Sequence, residues 1–89
     1  MKHSKFTFLS TGHLHPHEAQ KLDEISYFVD KNGMCSFFST EPDMIQFYED
    51  KGFYILCDVL REVKEKYDSD YVLFDPDIDL SSDFRNFVW

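Results

Sequence analysis

Apolar and polar residues alternate through "KFTFLS", residues 5–10, setting Phe6 and Phe8 on one face, and this predicts a first strand. The next stretch, "STGHLHPHEAQKLDEI", changes to a helical pattern. Pro16 suits the first helical position, Glu18 complements the N-terminal dipole, and Ala19, Leu22 and Ile25 form a narrow apolar stripe. In "SYFVDKNGMCSFFS", residues 26–39, Asn32-Gly33 can take the positive φ angles of a type I′ turn, so a hairpin is predicted with Asp30 opposite Cys35 and Phe28 opposite Phe37. "TEPDMIQFYEDKG" starts another helix, with Thr40 as its cap, Pro42 in the first turn and Gly52 at its end. The strongest helical pattern is "FYILCDVLREVKEKY", with Leu56, Val59, Leu60, Val63 and Tyr67 on one face. "YVLF", residues 71–74, is a continuous apolar run of the kind found in central strands. An acidic turn, "DPDIDLSSDF", and an aromatic tail, "FRNFVW", follow; the tail is expected to fold back and shelter Phe84, Phe87 and Trp89.

The element order is strand, helix, two hairpin strands, helix, strand. It predicts a small α+β domain, a four-stranded sheet with helices on one face in the β-α-β-β-α-β order of ferredoxin-like or related folds. The competing arrangement lays the last strand parallel beside the first. A chain of 89 residues, without repeats, linkers or low-complexity segments, is read as one domain spanning 1–89. Ten Phe, five Tyr and one Trp supply the volume of its core. Cys35 and Cys57 each lie in an apolar stretch and are read as reduced core thiols. No run of signal-peptide or membrane-span length occurs, so a cytoplasmic location is expected.

Charge changes the picture. Residues 1–40 hold four Lys and four acids, whereas residues 41–89 hold five Lys or Arg against thirteen acids and so carry the whole net charge of −8. Such a surface repels nucleic acid and favours basic proteins. The acidic residues expected to meet such a partner are Asp58, Glu62, Glu65, Asp68, Asp70, Asp75, Asp77, Asp79 and Asp83.

Three stretches carry a resemblance: "FLSTGHL" at 8–14, "LDE" at 22–24 and "DYVLFDPDID" at 70–79, with a terminal Trp89. Together they resemble a family of small uncharacterised proteins of bacteria and their mobile elements, known only as a domain of unknown function. Members carry a Ser-Thr-Ala-His-Leu-like segment after the first strand, an Asp-Tyr-Val-Leu-Leu-Asp-like strand, and an aromatic-Asp-Trp tail. This chain departs in having Gly12 for the Ala and Val88 for the tail Asp. The resemblance singles out Ser10, Thr11, His13, Asp75 and Trp89, and implies a phage, plasmid or integrative-element origin rather than any activity.

The most chemically suggestive motif is "GHLHPH". Alternate residues of an extended segment point the same way, so His13, His15 and His17 could converge on zinc or manganese, although a helix starting at Pro16 would rotate His17 away. The competing reading is a polar turn in which Ser10 or His13 satisfies backbone groups. "DPDIDL" has the Asp-x-Asp form of phosphohydrolases and of EF-hand loops. Leu80 and Asn86 stand where an EF-hand needs Gly and Glu, and the phosphohydrolase scaffold is far larger. If the first and last strands are parallel neighbours, their exits share one edge, and His13, Ser10, Asp75 and Asp77 can converge. Ser10 and Cys57 are the only tempting nucleophiles, and turn and core roles suit them better.

The functional expectation is a non-enzymatic acidic interaction protein without a cofactor. It would be a mobile-element inhibitor that imitates nucleic-acid charge and docks on a basic, nucleic-acid-binding protein, with no direct contact to nucleic acid or membrane. The alternative is a small metal-dependent hydrolase or ligand-binding domain that holds zinc or manganese through His13 and His15 with Asp75 and Asp77. A third reading is an oligomeric accessory module pairing through the 26–39 hairpin.

Overall fold

A computed structural model describes residues 5–21, 36–75 and 78–87. The chain runs through strand β1 (Phe6–Ser10), a 3-10 turn (Thr11–His13), the short helix α1 (Pro16–Ala19), strand β2 (Ser36–Ser39), helices α2 (Pro42–Asp50) and α3 (Tyr54–Tyr67), and strand β3 (Tyr71–Asp75). The predicted Asn32-Gly33 turn, Cys35 and the helical positions Leu22 and Ile25 lie outside the described residues.

The described strands form a mixed sheet in the order β1-β3-β2. β3 is central, as its apolar run predicts, and its Val72 and Phe74 are fully buried. It runs parallel to β1, with Phe6 opposite Tyr71 and Ser10 opposite Asp75, and antiparallel to β2, with Phe37 opposite Leu73. A small α+β domain is therefore correct, but the ferredoxin-like order is not what these strands adopt. That order sets the last strand antiparallel at the sheet margin, where one edge of "YVLF" would go unpaired. Placed centrally, β3 has both edges paired and its core face covered. The fourth predicted strand falls outside the described residues.

Helices α2 and α3 cover one face of the sheet. Leu9, Phe38, Val72 and Phe74 from the strands join Ile45, Tyr48, Leu56, Cys57, Leu60 and Val63 from the helices in one core. Phe38 sits edge-on to Tyr48, with centroids 5.5 Å apart, and the Tyr48 hydroxyl accepts a bond from Ser39 N at 3.3 Å. Each fully buried aromatic or aliphatic side chain here contributes roughly 1.5–3 kcal/mol.

The helix boundaries follow local chemistry, with two corrections. Gly52, at φ +93°, ends α2 as predicted, in a backbone region that side chains disfavour. Thr40 does not cap α2: its hydroxyl donates to Ser69 O at 2.5 Å. Glu41 occupies the cap position without a side-chain bond, and Ser39 Oγ accepts from Glu41 N at 3.1 Å. Tyr67 is not on the buried face of α3. It is 40% exposed, and its hydroxyl donates to Asp83 Oδ2 at 2.5 Å. The helix is closed beyond it by Asp68 in the left-handed conformation, φ 51°, whose N–H bonds to Lys64 O at 3.0 Å.

The other sheet face carries Phe6, Phe8, Phe37, Tyr71 and Leu73. Phe37, Tyr71 and Phe6 stack across the three strands, with centroids 5.1 Å apart for the first pair and 5.2 Å for the second. Phe6 and Phe8 remain 49% and 59% exposed.

Candidate functional site

Because β1 and β3 are parallel, their exits share one edge of the sheet, and Ser10 lies opposite Asp75 in the register. From Ser10 the chain bends into the 3-10 turn, and Ser10 Oγ accepts from Gly12 N at 3.1 Å. Leu14 N closes the turn on Thr11 O at 3.0 Å. Ser10, Thr11 and His13 are all buried.

His13 is the centre of this turn and has no exposed surface. Its Nε2 accepts a bond from Ser81 N at 2.9 Å. A backbone N–H can only donate, so Nε2 holds the lone pair and Nδ1 carries the proton. Nδ1 accordingly donates to Arg85 O at 2.9 Å. The ring leans on Phe84, whose centroid is 5.7 Å away, and Phe87 N bonds to Gly12 O at 3.0 Å. His13 thus fastens residues 81–87 across the turn after β1, and neither ring nitrogen has a lone pair left for a metal.

The other two histidines diverge from it. His15 is exposed and caps α1: its Nδ1 accepts from His17 N at 3.1 Å. Its ring stands edge-on to Phe87 at 5.4 Å. His17 points to solvent from the first turn of α1. Pro16 does start the helix that separates them. Among the described residues, no three His, Cys, Asp or Glu side chains are grouped to hold a metal. Asp75 ends β3 half-buried. Asp77 and Trp89 lie outside the described residues. The shared edge therefore brings Ser10 and Asp75 into register while His13 turns inward.

A small hollow of about 90 Å³ lies between the tail and α3, lined by His13, Asp58, Glu62, Arg85 and neighbouring apolar groups. It has room for a few water molecules. Cys57 is fully buried, and burial pushes its thiol up to about 11. Its Sγ donates to Ile45 O at 3.3 Å. This is the environment of an inert core thiol rather than a nucleophile.

The acids divide into two groups. Some close structural contacts: Asp70 Oδ2 accepts from Lys5 N at 3.0 Å, and Asp83 takes the Tyr67 hydroxyl, pushing that phenol up. Lys64 Nζ lies 3.1 Å from Asp68 and holds that carboxyl below its ordinary value, chiefly by hydrogen bonding. Others project outward: Asp58, Glu62 and Glu65 follow one another at helical spacing on α3 and are exposed, as is Asp79. Two of them have cations beside them, Asp58 with Arg61 and Glu62 with Lys66, each at 3.9 Å, while Arg61 also bonds Glu49 at 2.7 Å.

One functional carboxylate went unrecognised in the sequence. Glu18 lies in the first turn of α1, as expected, but its bonds go to another helix. Its two carboxylate oxygens accept from Ile55 N and Leu56 N, each at 2.9 Å, and so cap the first turn of α3. That partner is nearly forty residues away, and no local signal could have named it.

These features define a small α+β domain with a mixed sheet and a histidine that staples its tail. A family model matches residues 6–89, and the chain belongs to the family it describes: the family of unknown function DUF5983, C-terminal domain. Neither a curated protein nor a solved structure matches the chain. Among the described residues no helix is long and apolar enough to cross a membrane.

Proposed function

We propose that this domain is a non-enzymatic interaction module whose acidic half docks on the basic surface of a partner protein. One observation carries the reading: all of the net −8 lies in residues 41–89, and Asp58, Glu62, Glu65 and Asp79 from that half point outward. On α3 the first three carboxylates follow at roughly 6 Å and 5 Å of axial rise. They present a row of negative charge comparable in scale to a run of phosphates. The partner chemistry that fits is a lysine- and arginine-rich surface, most naturally one that otherwise holds nucleic acid. In this reading the domain serves a mobile element in the cytoplasm by blocking a host nucleic-acid-binding protein.

The histidine motif supports the same choice. The metal reading would use His13 as a ligand, and both nitrogens of His13 are bonded to the tail backbone. The test is competition: the full chain is added to a basic DNA-binding protein already bound to a labelled duplex. Displacement of the duplex is expected, and Glu62→Lys with Glu65→Lys should abolish it while leaving the fold intact, because both side chains are exposed. Displacement that survives the double reversal would refute an acidic docking face on α3.

A further inference from the structure

Among the described residues β1 pairs with β3 alone, so its other side is an edge of the described sheet. Edge strands offer unpaired backbone N–H and C=O groups, and proteins usually guard them with charge, proline or a bulge. Phe6-Thr7-Phe8-Leu9 has none of these, and its single neighbouring cation, Lys5, precedes the strand. A groove of about 520 Å³ is lined by Lys5 to Leu9 together with Tyr67, Ser69 and Ser81. Phe6 and Phe8 are about half exposed.

We propose that β1 is a homodimer interface, in which two copies of the chain pair antiparallel along this edge about a two-fold axis at Thr7. The occupant is argued from the strand's own symmetry. Lys5-Phe6-Thr7-Phe8-Leu9 reads Phe-Thr-Phe in both directions. A two-fold at Thr7 therefore sets Phe6 opposite the partner's Phe8, and Phe8 opposite the partner's Phe6, while the two Thr7 residues face each other. Aromatic and Thr–Thr pairs at directly opposed positions are favourable cross-strand neighbours. Both aromatic pairs fall on the outer sheet face, where they continue the Phe37–Tyr71–Phe6 stack from one copy into the next. The strand itself adds little like-charge repulsion, since residues 5–10 hold one Lys and no acid. The dimer also leaves the acidic face of α3 outward, so it is independent of the partner docking proposed above.

Sedimentation of the full chain over a range of concentrations tests this. The unaltered chain is expected to be a dimer, and Phe8→Lys, which puts charge into both aromatic pairs, should raise the dimer Kd by about tenfold or more. Tyr54→Lys, at an aromatic on α3 that is 63% exposed, should leave the dimer unchanged. Circular dichroism checks that both variants remain folded. Hydrogen exchange on the unaltered chain supplies an answer even if Phe8→Lys fails to fold: amides of residues 6–10 should exchange more slowly at high concentration than at low. A chain that is monomeric throughout, a dimer indifferent to Phe8→Lys in the folded variant, a dimer lost on Tyr54→Lys, or exchange at residues 6–10 independent of concentration would each overturn the proposal.

Discussion

Inside this domain, chemically capable side chains are spoken for; outside it, apolar and acidic groups are in surplus. His13 has both nitrogens bonded to the tail backbone, Glu18 caps a helix distant in sequence, and the Cys57 thiol is sealed in the core. On the surface, Phe6 and Phe8 stand half exposed, and Asp58, Glu62, Glu65 and Asp79 project into solvent. The contrast supports the proposed docking role. His13 and Cys57, which look chemically capable in the sequence, are used to build the fold, while the exposed aromatic and acidic groups are suited to binding.

Truncating interior groups should hurt most. Phe74→Ala, in a fully buried position of the central strand, should cost about 3–5 kcal/mol in chemical denaturation. Near-native stability would mean that the sheet and helices do not share this core. His13→Ala should cost about 2–4 kcal/mol, since it orphans Ser81 N–H and Arg85 C=O and leaves a void. Protease sensitivity at residues 78–87 should rise with it. A variant as stable as the parent, with an equally protected tail, would show that His13 does not hold the strap.

A pH scan probes the interior differently. The buried Cys57 thiol is raised from 9.0 to about 11, so in this window only the unfolded chain releases its proton readily. The stability this group confers is intact below pH 9 and declines as pH climbs toward 11, by about 1.4 kcal/mol per unit at the limit. Cys57→Ala should be less stable at neutral pH yet lose less over that window. Parallel profiles for the two proteins would place the thiol in contact with solvent. Glu18→Ala should cost a further, smaller amount, about 1–2 kcal/mol, by uncapping α3. At the far end of the scale, Phe8→Lys on the outer sheet face should change the stability of the monomer by no more than about 0.5 kcal/mol.

Much of the fold could be read from residue patterns, and the exceptions share a physical cause. The first strand, the apolar run of the last strand, Leu56, Val59, Leu60 and Val63 of the α3 stripe, and the Gly52 stop all rest on local chemistry, and each forms as expected. Alternation in "KFTFLS" groups Phe6 with Phe8 but says nothing about which face the helices will cover; the outer face received them. Thr40 and Tyr67 looked like a cap and a core residue, and both formed polar contacts with distant segments instead. The strand order was open for the same reason: periodicity names elements, and only long-range packing arranges them. At the site, "STGH" was legible as a polar turn, and the sharing of one edge by the β1 and β3 exits followed once they proved parallel. The partners of His13 were not legible, because Ser81 and Arg85 contribute backbone atoms whose side chains carry no signal. Gly12 is closely approached: a Cβ there would come within 2.7 Å of the half-exposed Leu80 side chain, which would have to shift.

The central claim, that binding through the acidic half is the function, is tested most directly by the salt dependence of one affinity. The full chain is titrated into a lysine-rich DNA-binding protein at low and at high salt. The expected result is tight association at low salt that weakens steeply as salt screens the carboxylates. Association that is absent at low salt, or unchanged at high salt, would contradict the account.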